Sequence, residues 1–284
     1  MARRDLARAA ASLALRVRVR VQLGLTDPAN TVDIAEKLGV QVWYRKLPSL
    51  EGLFIRAPHP VILLSALRPA GRRSFTCGHE LGHFCLDHDG RVDPVAKDGV
   101  VFQEQADDEY QASQFAAYLL MPKTTVQHAF AQRQTEPSSA SPRAILAIAH
   151  WLGVGYATLL NHLHYNLRLL GRPRFEELVK KRPKQIVAGL ADDRVQGASV
   201  VLVDDAWHSR PVDLQVGDVV VLDFPVTISG DCVVHRAGKD THVEAVRPGT
   251  AHLEGDTWAT YVRVRRAGFE GRSIFRHLED VEDE

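Results

Sequence analysis

The spacing of apolar and polar positions divides the chain into a helix-rich first part and a strand-rich second part. Apolar residues recur at helical spacing in 31–39, 69–90, 104–121 and 144–170. The runs VQVWY, LEGLFI and PVILLS predict three short strands among the first helices. After Gln185, short β-type runs follow one another at a spacing of about ten residues, separated by Gly, Pro and Asp. The pattern predicts an α+β chain with a C-terminal β-sandwich-like domain.

Residues with known end preferences mark the boundaries of these helices. Thr31 is expected to cap the helix TVDIAEK. Pro69 suits the first turn of the next helix, and Gly90 is its expected stop. A third helix is expected to end at Pro122, because proline disfavours helical geometry in the residue before it.

The same pattern predicts four segments along the chain. RQTEPSSASPR is the clearest linker by composition, and two helices around the turn GVG follow it. The predicted segments are a helix-rich domain with a small sheet at 1–132, a helical, helix-turn-helix-like segment at 133–184, a β-rich sensor or docking domain at 185–278, and an acidic tail at 279–284.

Composition narrows the range of partners. The chain has 284 residues, and its 35 Lys and Arg balance its 35 Asp and Glu, so no overall charge favours nucleic acid or a membrane surface. No apolar run approaches the ~20 residues that cross a bilayer. The three cysteines do not form a disulfide framework, which favours a reducing compartment. We therefore expect a cytoplasmic protein, with the Arg- and Ala-rich N-terminus interpreted as a surface helix rather than a transit peptide.

The segment CGHELGHFC carries the pattern of a metal site. On a helix, His79 and His83 lie one turn apart on the same face, so both rings can meet one ion. Glu80 projects beside that site, where it can polarise a water molecule and act as a general base. These residue types favour Zn²⁺, whose catalytic sites use three protein ligands and leave a fourth position open.

The third ligand is expected from the carboxylates between Glu104 and Glu109. Glu109 shares one helical face with Ser113 and Ala116, and small residues on that face allow close helix packing, so Glu109 is the preferred ligand. Asp89, six residues after His83, is a rival.

Four further residues flank the pattern. Cys77 and Cys85 are either redox-sensitive alternative ligands or buried packing residues, and the second is the commoner case. His88 and Asp87 are candidates, with Ser113, for contacts that orient the ligands from behind.

The segments RRSFTCGHELGHFCLDH and EYQASQFAAYLLMP together resemble the ImmA/IrrE family of zinc metallopeptidases. The resemblance implies a zincin-like fold for the first domain, Zn²⁺ bound by His79, His83 and Glu109, and Glu80 as the general base. Ser113 stands where the family usually has Asn, so a hydroxyl replaces a side-chain amide near the metal. The resemblance is strong over 31–122 and weaker through AILAIAHWLGVGYATLLNHL.

The resemblance also implies a function in regulation. Members of the family are intracellular proteases that cleave a partner helix-turn-helix (Xre-like) repressor in stress responses or mobile elements. We expect the PVILLS strand to form a sheet edge beside the metal, to which an extended substrate adds as a further strand.

A non-proteolytic alternative remains open, in which zinc stabilises a regulator that binds protein or DNA. DNA binding through 143–170 is disfavoured, because the second helix of that segment offers only Asn161 and His162 to bases or phosphates.

Overall fold

The computed structural model describes residues 2–88, 103–188, 199–236 and 238–278, and it describes only the backbone of 103–105. Within these residues the chain is α+β, and the region after residue 199 is rich in strands, as predicted. The helices are α1 (Arg3–Arg20), α2 (Thr31–Lys37), α3 (Ala70–Cys85), α4 (Gln103–Leu120), α5 (Lys123–Gln132), α6 (Pro142–Trp151), α7 (Tyr156–Asn161), α8 (Arg172–Leu178) and α9 (Pro183–Val187). The strands are β1 (Gln41–Arg45), β2 (Gly52–Ile55), β3 (Val61–Ser65), β4 (Val200–Val203), β5 (Val212–Gln215), β6 (Val219–Leu222), β7 (Thr227–Ser229), β8 (Val233–Arg236), β9 (Lys239–Ala245), β10 (Gly249–Glu254), β11 (Ala259–Arg265) and β12 (Gly271–Arg272).

The N-terminal sheet has the strand order β12-β1-β3-β2. Strand β3 runs parallel to β1 and antiparallel to β2, so it is bonded on both sides. The expectation that PVILLS forms the sheet edge is therefore wrong. The hairpin through 56–60 places β2 outside β3, and within the described residues β2 and β12 are the two edge strands of this sheet. The alternate side chains Ile62 and Leu64 of β3 are fully buried, which fits its central place.

Two helix ends differ from the sequence expectation. Asn30, not Thr31, caps α2, since its side-chain oxygen accepts from the backbone N–H groups of Val32 at 3.1 Å and Asp33 at 3.2 Å. The Thr31 hydroxyl donates instead to the Ser74 carbonyl oxygen at 3.0 Å, which ties α2 to α3.

Helix α3 ends at Cys85, before the expected stop at Gly90, which lies outside the described residues. The reason is Asp87, which takes the left-handed conformation (φ 60°) and turns the backbone away from the helix. Pro69 immediately precedes the first turn.

Helices α3 and α4 pack with little space between their backbones. A Cβ at Gly82 would lie 3.0 Å from the Ala112 Cα atom, and one at Gly78 would lie 3.3 Å from the Ala116 Cβ atom. Glycine on one helix faces alanine on the other, one turn apart in each case. Small residues at both positions are therefore required for this approach.

The strands after residue 199 form two four-stranded sheets, ordered β5-β11-β10-β7 and β4-β6-β9-β8. Each sheet is mixed, because β11 is parallel to β5 and β4 is parallel to β6. The buried side chains on these strands are mainly valine and leucine. The sandwich arrangement stays a prediction.

Several contacts join the two parts of the chain. Strand β12 pairs with β1. The Arg133 guanidinium binds both carboxylate oxygens of Asp204, at 2.6 and 2.8 Å. His150 of α6 accepts the backbone N–H of Leu202 on its Nδ1 at 3.0 Å, which extends the edge of β4 onto the helix. The predicted boundary near residue 184 therefore separates segments that share hydrogen bonds, and the domain division itself stays a prediction.

In the part of the chain that the structure describes, no single helix is long and apolar enough to cross a bilayer. The segments 142–151 and 156–166 reach that composition only together, across a bend of 100°. Their apolar side chains, among them Ile145, Ile148, Leu159 and Leu163, are buried in the protein core.

The close approach of α3 and α4 predicts the effect of Gly82→Ala. The added methyl meets backbone atoms of Ala112, which cannot rotate away, so we expect a loss of about 1–3 kcal/mol in the free energy of unfolding. Gly171→Ala is the matched control, because nothing lies within 4 Å of a Cβ there. Equal urea-unfolding midpoints for the two variants would contradict this account of the packing.

The burial of His150 predicts a dependence of stability on pH. Burial lowers the pKa of His150 to about 4, from 6.5 in the unfolded chain, so the folded state binds fewer protons. Stability is therefore complete above pH 6.5 and falls as the pH drops toward 4, by up to about 3 kcal/mol for this group.

The variant His150→Asn tests this, because its amide oxygen can accept from Leu202 but cannot titrate. In thermal denaturation with EDTA present, the wild type should lose more stability than the variant between pH 7.5 and 5.0. Identical pH profiles would rule out His150 as a source of this dependence.

Candidate metal centre

Three side chains from two helices meet beside the α3–α4 contact. His79 and His83 project from the same face of α3, and Glu109 projects toward them from the first half of α4. The His79 Nε2 atom lies 3.0 Å from one Glu109 carboxylate oxygen, and the His83 Nε2 atom lies 3.2 Å from the other. The two Nε2 atoms are 3.1 Å apart. All three donor groups lie within 4.8 Å of one another.

This donor set fits a divalent cation. The Nε2 atoms of His79 and His83 face each other, and both face the Glu109 carboxylate. The lone pairs of these three groups repel one another unless a positive charge lies between them. Tetrahedral zinc with bonds of about 2.0–2.1 Å separates its donors by about 3.3 Å, close to the spacing found here. Nitrogen and carboxylate donors together are characteristic of catalytic zinc. The residues present therefore fit Zn²⁺.

The ionisation state of Glu109 favours binding of a cation at this site. Hydrogen bonds from His79 and His83 hold the pKa of the Glu109 carboxyl far below its usual range, so the group is ionised. Burial opposes a charge on His83, but the hydrogen bond to Glu109 and the nearby negative charges, that of Glu109 first, together outweigh burial and raise the pKa of His83. The ionised Glu109 carboxylate thus faces the partly buried rings of His79 and His83.

Each ring is also held from behind through its Nδ1 atom. The Ser113 hydroxyl lies 3.2 Å from the His79 Nδ1 atom, so it can take the position of a side-chain amide there. The His88 Nδ1 atom lies 3.0 Å from the His83 Nδ1 atom. With the Nδ1 proton on each of His79 and His83, both Nε2 lone pairs point at the common centre, which is the tautomer that a metal ligand needs.

His88 belongs to a longer chain of hydrogen bonds. Its second nitrogen, Nε2, lies 3.3 Å from Asp108 and 3.4 Å from the Gln111 side-chain oxygen. Burial lowers the pKa of His88, which keeps it neutral, able to accept from His83 and donate to α4. Arg56 fixes its backbone by donating to its carbonyl oxygen at 2.9 Å.

Sequence reasoning missed Gln111 and Arg56, and it considered Asp108 only as one of the possible metal ligands, not as a partner of His88. A signal existed for Asp108 and Gln111, because positions 108 and 111 are three apart and share a face of α4. The contact with Arg56 depends on the hairpin turn, and local spacing does not reveal it.

Glu80 lies next to the donor triangle on α3 and is enclosed by β2. Burial, and to a smaller extent the charge of Glu109, raises the pKa of Glu80, while both histidines and the Phe54 N–H oppose that rise. A Cβ at Gly52 would lie 3.2 Å from the Glu80 carboxylate oxygen, so glycine here lets β2 approach this residue. A carboxylate with a raised pKa accepts a proton more readily at neutral pH.

The other sequence candidates are placed elsewhere. Asp87 pairs with Arg56 at 2.9 Å, and 89% of its side chain is exposed. Burial raises the pKa of the Cys77 and Cys85 thiols to about 12, so neither is a thiolate at neutral pH. Asp89 lies outside the described residues.

Comparison with known proteins identifies this region. Residues 35–164 match the family model described as Peptidase_M78, IrrE N-terminal-like domain. The chain carries an ImmA/IrrE-family domain. The IrrE-like domain contains α3, α4 and the sheet strands β1 to β3, and therefore every residue of the donor triangle. The M78 family is of the zinc-dependent peptidase type, which agrees with the chemistry of the donor set.

Other comparisons add little beyond the IrrE-like domain. None of the curated proteins compared with the chain matches it. A solved structure of a Mycobacterium tuberculosis transcriptional regulator is 17% identical with a TM-score of 0.38, and the match covers 59% of this chain. The chain spans about half of that structure, 49% of its length. A likeness at this level carries no argument about function.

We expect His79, His83 and Glu109 to hold one zinc ion, and Glu109→Gln tests this set. Removing the anionic ligand should weaken zinc binding at least about a hundredfold, because one of three protein ligands loses its charge. Competition with a chromophoric chelator measures the affinity. Asp87→Asn is the matched control, because it also removes one carboxylate charge near the end of α3, and it should bind zinc as tightly as the wild type. Retention of wild-type affinity by Glu109→Gln would exclude this ligand set.

Proposed function

We propose that the protein is an intracellular zinc-dependent endopeptidase that cleaves a partner transcriptional repressor at a specific site. The observation that carries the proposal is the convergence of His79, His83 and Glu109 beside the half-buried carboxylate of Glu80. Membership of the M78 family supports peptide-bond hydrolysis as the reaction.

Bound Zn²⁺ would supply Lewis acidity, which makes hydroxide available at neutral pH. Glu80 would accept the proton of the attacking water and pass it to the leaving amine nitrogen. Its raised pKa suits both directions of that transfer. Ser113 and His88 would hold the two imidazoles in one tautomer by accepting from their Nδ1 atoms.

The substrate would bind along β2, which in the described part of the chain is the edge strand of the N-terminal sheet on the side of α3. Its backbone groups can pair with an extended peptide, which then lies beside the enclosed Glu80. Binding of this kind needs backbone hydrogen bonds more than a deep side-chain pocket. It therefore suits cleavage of one accessible loop in a folded partner.

The partner we propose is an Xre-like helix-turn-helix repressor, as the family resemblance implies, with a role in a stress response or a mobile element. Cys77 and Cys85 are not joined by a disulfide, which is consistent with a reducing cytoplasm.

Direct DNA binding by α6 and α7 receives little support. His162, one of the two residues able to contact DNA in the second helix, is 3% exposed. Its Nε2 donates to the Met121 carbonyl oxygen at 2.8 Å, and burial lowers its pKa to about 4. A neutral, enclosed imidazole does not contact phosphates or base edges.

Glu80→Gln tests the proposed reaction. The zinc-loaded variant should bind metal as the wild type does but cleave at least about a hundredfold more slowly, because the general base is lost. The assay incubates each protein with the repressor encoded by the neighbouring gene and follows the products by mass spectrometry. Glu254→Gln, the same chemical change at an exposed position of β10, is the control and should cleave normally.

The alternative function, a zinc-stabilised regulator without protease activity, predicts another result. Wild type and Glu80→Gln would then leave the repressor intact and bind it or its operator equally well. That outcome would discard the peptidase proposal.

A further inference from the structure

A cavity of about 260 Å³ lies between the IrrE-like domain and the C-terminal sheets. Its walls come from the first turn of α3, the turn between α6 and α7, and the strand β5 with its neighbours. Four arginines and two aspartates line it, so positive groups outnumber negative ones. These are Arg73, Arg210, Arg265, Arg276, Asp213 and Asp218.

Most of these charges have partners. Arg210 pairs with Asp27 at 2.5 Å, and Arg276 pairs with Asp33 at 2.7 Å. Asp213 accepts from Arg263 at 2.6 Å. Within each pair the opposite charges cancel. Of the arginines that line the cavity, Arg73 and Arg265 remain.

Among the described residues, no carboxylate forms an ion pair with Arg73 or Arg265. Arg265 is 5% exposed and donates through Nη2 to the Gln215 side-chain oxygen at 2.5 Å. Its Nη1 atom is buried and has no hydrogen-bond partner in the described part of the chain. Arg73 donates through Nη1 to the Arg68 carbonyl oxygen, which is uncharged.

The nearby groups offer only weak compensation. The Tyr44 ring lies under Arg265, with 5.5 Å between the guanidinium carbon and the ring centroid. Asp218 accepts from the Gln215 N–H at 2.9 Å, and its charge attracts both arginines without forming an ion pair with either. Burial raises the pKa of Asp218, which opposes that charge. Burial and mutual repulsion lower the pKa of Arg73 to about 10. Arg265 is buried and Arg73 is half-buried, and cations removed from water are costly unless an anion pairs with them.

We propose that this cavity binds a small organic anion, whose phosphate or carboxylate oxygens pair with Arg73 and Arg265. Guanidinium groups bind such oxygens through two parallel N–H donors, and the free Nη1 of Arg265 is one donor available for this.

The remaining walls indicate the body of the ligand. Tyr44, Trp151 and Trp207 line the cavity together with aliphatic side chains. The buried Trp207 Nε1 has no hydrogen-bond partner among the residues that the structure describes. An apolar or aromatic body attached to the anionic group would cover these rings, and a polar atom on it would meet the indole N–H. The volume suits a compact molecule rather than a polymer.

The position of Arg73 links this site to the metal centre. It stands in the first turn of α3, less than two turns before His79 on the same helix. A bound anion would therefore join the C-terminal sheet, through Arg265, to the helix that carries both histidines.

The test measures the binding of phenyl phosphate, benzoate and inorganic phosphate to the zinc-loaded full-length protein by calorimetry. Wild type should bind one of the two aromatic anions, and Arg73→Met and Arg265→Met should each weaken that binding at least tenfold. Arg172→Met is the matched control, since Arg172 pairs with Glu176 on the exposed surface of α8, and it should bind as the wild type does.

A second measurement separates ligand binding from a structural role. Without ligand, Arg265→Met should melt no lower than the wild type, because a side chain of similar length replaces an unpaired buried cation. Tighter binding of phenyl phosphate would identify a phosphate ligand, and tighter binding of benzoate a carboxylate. Absence of binding by all three probes would overturn the proposal. Equal binding by wild type and Arg265→Met, as expected for an anion held at the metal, would also overturn it.

Discussion

The contact between α3 and α4 is the constraint on which the candidate site depends. Glu109 reaches the two imidazoles because Gly82 and Gly78 let the helix backbones approach almost to van der Waals distance. Larger side chains there would separate the carboxylate from the nitrogens by more than a metal–ligand bond tolerates. The glycines of the CGHELGH run are therefore as necessary to the geometry as its histidines, although they carry no chemistry of their own.

Much of this arrangement follows from local rules. The positions of His79 and His83 follow from helix periodicity, and the choice of Glu109 follows from the small residues on its face of α4. The identity of a bound metal and the roles of these residues stay predictions. Helix periodicity cannot reveal that His88 connects His83 to Asp108, because Asp87 must first turn the chain back toward the site.

Predictions that required knowledge of neighbouring strands were less successful. PVILLS reads as one strand of a pair, but its sequence does not say which member lies outside, and the structure makes β2 the edge. Thr31 and Asn30 are both good caps by residue type. The backbone decides between them, since Asn30 is extended while Thr31 is already helical. The excess of positive groups in the cavity could not be predicted from the sequence either. Arg73 and Arg265 are 192 positions apart (265 − 73), and only the fold brings them together.

The pairing of β12 with β1 has a consequence for how the chain folds. Trp43 and Arg272 are register partners. One side of β1 therefore pairs with residues that are synthesised more than two hundred positions later. On a ribosome, this edge cannot form its pairing with β12 until residue 272 has emerged, and contacts of such long range slow folding. A fragment that stops after the IrrE-like domain would expose β1 permanently, as an open template for pairing between molecules.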